Sequence, residues 1–268
     1  MAPSPFLTVE SLQILRSITK NNNREWYQKN KSRVDEFLID PARGFVVEVG
    51  KLLDKAVGGL VADPRVDGSI YRLYRDVRFS SDKRPLKEHL GLIWWMDAPE
   101  GKLSSPCFYL HVTPDGWLWS VGCYRFTPPM LDAYRRAVLD PAVGPPLKFI
   151  ARGLENRGLV FNPPELKRVP RGFEGPEWTG EWVRRKGAYT FSESQPLTDQ
   201  NLLGPKAAKF IAGKFREGTP FYIWLRNIFD KLHPPDEDGR AGRDGGAGES
   251  GLGAGGGRRR RPTRGAAG

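Results

Sequence analysis

The feature that most constrains this chain is a change in the spacing of its apolar side chains. From residue 8 to residue 57 they recur every three or four positions, from Ile70 onward they alternate, and after Pro128 the wider spacing returns. Spacing near 3.6 buries one stripe of a helix, whereas spacing of two buries one face of a strand. The two patterns arrive in blocks and not as repeated strand–helix pairs. That order predicts an α+β fold, a mainly antiparallel sheet with helices packed on it, in a single domain.

Local signals place the elements. Thr8 caps a helix carrying Leu12, Leu15 and Ile18, which stops at Asn21–Asn23; Asn23 caps a second through Trp26, Val34 and Phe37; Pro41 opens a third with Phe45, Val49 and Leu53. The run Ile70–Phe79 reads as a strand that sends Tyr71, Leu73, Val77 and Phe79 to the core and Arg72, Tyr74, Asp76 and Arg78 to the other face. Strands at 108–113 and 117–124 flank Pro114-Asp115-Gly116 and form a hairpin. Helices follow at 128–139 and 146–157, then a short Trp178/Trp182 helix, a strand near 188–191, and two closing helices at 205–216 and 219–232.

From residue 234 onward Gly, Arg and Asp replace nearly every large apolar residue, so a globular domain over 1–233 is expected to carry a disordered Gly/Arg tail over 234–268. The start of the chain lacks a basic, apolar leader, and no run reaches the ~18 apolar residues of a membrane span. Only Cys107 and Cys123 occur, without metal spacing, and a tight hairpin turn would bring them near each other, as two small hydrophobes in preference to a disulfide. Together these point to a reduced cytoplasmic setting and no membrane partner. A formal charge of +11 favours anionic partners, and the run Arg258–Arg261 is either a nucleic-acid contact or a solvated appendage. Oligomeric state and cofactor leave no signal.

The densest chemistry lies between residues 72 and 89. Arg72, Arg75, Arg78, Lys83 and Lys87 are candidate ligand-binding residues, and Asp76 and His89 are candidate catalytic groups. Asp76 can orient one arginine while another offers its donor fork to a phosphate or carboxylate. Arg75, placed between Leu73 and Val77, needs an acceptor or a sheet edge. His89 and His111 titrate near neutrality and suit proton transfer, though a strand histidine also serves as a structural hydrogen-bonding group. A metal set of both histidines with Asp76 or Asp82 has no diagnostic spacing. No Walker-type or GxGxxG loop is present within residues 1–233. Three functions stay open: an anion-binding protein, a hydrolase or transferase acting on a phosphate ester, and a structural or partner-binding module in which these residues form a buried ion-pair network.

Arg72, Arg75, Asp76, Arg78, Phe79, Lys83, Pro85 and Lys87 resemble the RxxRDxRFxxxKxPYK signature of domain-of-unknown-function family 2461, and Asn22, Asn23, Arg24, Glu25, Trp26 and Tyr27 resemble its N-terminal element. The resemblance runs from about Phe6 to Phe229 and leaves out the tail. Leu86 stands where the signature has Tyr, and Ser120-Val121-Gly122 replaces a glycine triplet. The resemblance implies where the domain and its site lie; it implies no activity.

Overall fold

The computed structural model describes residues 5–234. The expected Gly/Arg tail, with Arg258–Arg261, lies outside the described residues. Thr8 and Ser11 form a reciprocal capping box at the start of α1 (Val9–Lys20), and Asn23 Oδ1 accepts from Trp26 N at 2.8 Å to start α2 (Arg24–Val34).

Pro41 does not open a separate helix. The chain runs from α2 through one wide π turn, Asp35–Ile39, straight into α3 (Asp40–Val57). Proline has no N–H for the carbonyl one turn back. Here Phe37 O is satisfied instead by the fully buried Ser11 Oγ, which donates at 2.6 Å. An orphaned carbonyl would cost about 1–3 kcal/mol, so this bond lets the helix continue and ties α1 to it.

The two expected closing helices are likewise one, α7 (Ala207–Leu232), which passes through Pro220. An internal proline costs about 3 kcal/mol. Full burial of Phe215, Phe221, Tyr222, Leu225 and Phe229 at about 1.5–3 kcal/mol each outweighs it.

Six antiparallel strands form one sheet in the order β1-β2-β3-β4-β6-β5: β1 (Leu60–Val61), β2 (Leu90–Met96), β3 (Cys107–Val112), β4 (Trp117–Cys123), β5 (Leu159–Phe161) and β6 (Ala188–Ser192). The remaining helices are α4 (Pro128–Leu139), α5 (Gly144–Glu155) and α6 (Thr179–Val183). The β3–β4 hairpin forms as expected. Its register pairs Cys107 with Gly122, so by alternation Cys123 points to the opposite face, and both thiols are free and buried.

Ile70–Phe79 is not a strand. It makes single bridges, Ile70 to Leu92 and Tyr74 to Leu86, and Phe79, expected in the core, is 95% exposed. Asx turns win here: Asp76 Oδ1 accepts from Arg78 N, and Asp82 Oδ1 from Arg84 N, which takes the backbone donors a ladder would need. The extended element nearby is β2, whose apolar run shows no alternation because both of its faces are covered.

One face of the sheet carries the core. α7 lies across it, setting Phe215 edge-on to Trp94 and stacked on Phe108 with ring centroids 5.4 and 5.2 Å apart. Gly218 permits the approach, since a Cβ there would stand 2.7 Å from a Val121 methyl. The opposite face holds a depression. No described helix is long and apolar enough to cross a membrane.

Candidate anion-binding site

Three cross-strand rows build the depression: Gly91–His111–Leu118, Ile93–Tyr109–Ser120, and Trp95–Cys107–Gly122–Tyr189. Each row contains a position with little or no side chain, namely Gly91, Ser120 and Gly122. Tyrosines form the walls around these low points. A Cβ on Gly91 would meet Tyr109 Oη at 2.8 Å and the Tyr71 ring at 3.2 Å, so glycine there lets both rings close in. Gly122 has φ 140° and faces the backbone of β6, where a Cβ would sit 2.2 Å from Ala188 O. Its freedom serves strand pairing, not a ligand. The cavity measures about 350 Å³.

Its cationic side lies along the β2 edge. Tyr71, expected in the core, instead turns its ring to this pocket, with Lys87 Nζ 5.1 Å and Lys102 Nζ 4.9 Å from the ring centroid. Lys102 is anchored by Asp67 O and Gly68 O, which leaves its third N–H unused. Lys87 makes no ion pair among the described residues. Burial, then the neighbouring Arg72 guanidinium, pushes the Lys87 ammonium below its ordinary pKa; burial does the same at Lys102. Two ammonium groups share this wall, and no carboxylate lines the cavity.

His89 also lines the pocket, and its ring stacks on His111 with centroids 4.1 Å apart. Burial, then His111 and Lys87, pulls its pKa down to about 3. His89 is therefore a neutral acceptor at neutral pH. Tyr109 Oη lies 3.1 Å from His111 Nδ1, and burial pushes that phenol up to about 12.

The residues singled out by sequence divide between this pocket and an open cleft of about 510 Å³ on the other side of Lys87 and His89. That cleft contains Arg75, Asp76, Asp82, Arg84 and Glu88, and with Lys87 on its rim its cations match its carboxylates three to three. Arg75 finds the acceptor it required in Asp82, which Arg84 also holds while reaching Glu88. These arginines keep the Asp82 carboxyl far below the usual range, with Arg84 the larger cause. Asp76 is held low by the Arg78 guanidinium through paired contacts of 2.7–3.2 Å, and both are exposed. Lys83 Nζ donates to Val77 O in solvent, while Arg72 sits 4.0 Å from Asp67 and lines neither cavity. The ion-pair network thus exists but is not buried. Among the described residues no three His, Cys, Asp or Glu converge as a metal site. Asp76 and Asp82 are taken by arginines.

Asn22 fixes Lys87 in place. Its side-chain amide donates to Leu86 O at 3.0 Å and accepts from Leu86 N at 2.9 Å, and on the far side of this segment Lys87 N donates to Leu73 O. The two segments that carry the family resemblance therefore meet at the pocket edge. Lys102 and the tyrosine walls were missed in the sequence because the residues joining them come from four separate segments. The alternation of Tyr109 and His111 within β3 was the one available signal.

A family model described as "Conserved hypothetical protein (DUF2461)" matches residues 10–224. No curated protein matches the chain.

Proposed function

The chain belongs to the conserved hypothetical family DUF2461, and from that premise we propose that it binds a small phosphate- or carboxylate-bearing ligand in the depression on the open sheet face. The observation behind this reading is the pair of partly desolvated ammonium groups, Lys87 and Lys102, on a wall with no lining carboxylate. An anion there would offset their desolvation, whereas the balanced cleft beside them offers no net charge. A concave site of this size suits one small molecule better than a nucleic-acid strand, which needs a groove. A cytoplasmic setting fits two buried, free thiols.

The test is thermal denaturation of the full chain against nucleotides, sugar phosphates, organic acids and short nucleic acids. A small anion should stabilise the wild type and Arg78→Ala but not an equally folded Lys87→Met. Stabilisation by nucleic acid alone, falling steeply with salt, would replace the pocket with a polymer surface.

The stacked histidines give one second reading, a hydrolase or transferase acting on a phosphate ester in which a bound anion raises the basicity of His89, which then accepts the proton. His89→Asn would then abolish turnover of a bound ester and leave its affinity intact. Asp76 has no part in that reading, because Arg78 occupies it.

A further inference from the structure

Charge and ring surface are segregated within the depression. Lys87, Lys102 and Tyr71 stand along the β2 edge, whereas Tyr124, Tyr189 and Phe191 stand on the β4–β6 side. Between them the floor is Ile93 and Leu118 with the small Ser120. Tyr124 is 56% exposed and Phe191 37%, and the Tyr124 and Tyr189 rings lie 5.5 Å apart, tilted by 41°. Exposed rings of this kind beside a cavity leave apolar surface in water, which a ligand body would cover. A bare inorganic anion would touch only the lysine edge and leave that surface wet.

We propose that the ligand is an amphipathic acid, with one carboxylate or phosphate head at Lys87 and Lys102 and an aromatic or apolar body lying over Ile93 and Leu118 toward Tyr124 and Tyr189. This rests on the anion reading above and specifies the rest of the molecule. The cavity of about 350 Å³ lies at the small end of ligand sites, so the body is one or two rings and not a long chain. Ring faces meeting Tyr124 and Tyr189 gain from offset or edge contact as well as from burial.

The experiment is calorimetric titration of the full chain with 2-naphthoate, phenyl phosphate, neutral 2-naphthamide, acetate and inorganic phosphate, repeated on Tyr189→Ala and Lys87→Met, each first checked for an unchanged melting temperature. If Lys87→Met fails to fold, Lys102→Met replaces it. The expected result is that 2-naphthoate or phenyl phosphate binds at least about 30-fold tighter than its bare anion, a few methylene equivalents of apolar burial. Tyr189→Ala should remove most of that advantage and leave the bare anions unaffected, and the lysine variant should weaken every acid. Bare anions that bind in a Lys87-dependent way with no gain from the ring would overturn the amphipathic ligand and leave the anion site standing. Naphthamide binding as tightly as naphthoate would overturn the anion reading itself. If neither aromatic acid binds at millimolar concentration, the amphipathic ligand is rejected.

Discussion

The two cavities that meet at Lys87 and His89 differ in one respect that decides their chemistry. The loop cleft holds the residues that looked most reactive in the sequence, yet each of its arginines already has a carboxylate partner. The sheet-face pocket takes only Lys87 and His89 from that segment and leaves its cations unpaired. Density of charged residues along a chain is thus a poor guide to available charge. What counts is the charge left after neighbours have been matched, and only the fold determines that.

The largest expected effect separates the cavities directly: Lys102→Met, which lines only the pocket, should weaken a bound anion by about tenfold or more, and Arg84→Ala, which lines only the cleft and is paired with Asp82 and Glu88, by less than about twofold, both read by titration. A loss at Arg84 with none at Lys102 would show that the loop cleft, not the pocket, holds the ligand. Next, Asn22→Ala should cost about 1–3 kcal/mol in denaturant unfolding, since Leu86 loses both its amide partners, and should loosen anion binding as well. A glycine pair then contrasts the two sheet faces. Gly218→Ala forces α7 off Val121 and should destabilise by about 1–3 kcal/mol without touching the pocket, whereas Gly91→Ala displaces Tyr109 and should cut affinity more than stability. The last effect is on pH dependence and appears only in acid. His89 titrates at about 3 when folded against an ordinary value near 6.5, so the unfolded chain binds its proton more readily. Its contribution is complete above about pH 6.5 and is lost as pH falls from there toward 3; His89→Leu should make the acid limb of a melting-temperature profile shallower.

Much of the architecture was legible because it rests on local physics. Thr8, Asn23 and the turn at Pro114-Asp115-Gly116 act within a few residues, and the structure places caps and hairpin where they predict. Two expectations failed where distant contacts overrode a local rule, and a third where one local rule overrode another. Pro41 and Pro220 signal breaks, but Ser11 supplies one missing donor and the buried face of α7 outweighs the other. Alternation over Ile70–Phe79 signalled a strand, but Asp76 and Asp82 turned the backbone on itself. At the site, Lys87 and His89 were visible as residues; their neighbours Lys102, Tyr124 and Tyr189 were not, because only strand pairing gathers them.

The amide bridge at Asn22 has one more consequence. Leu86 lies opposite Tyr74 in a two-stranded bridge whose outward side would present a bare N–H and C=O, the template on which another chain can add a strand. Asn22 occupies both groups with its own amide. The segment that carries Lys87 is therefore completed by a side chain standing in for a peptide strand, which lets the buried Leu86 pair on both sides without a second strand.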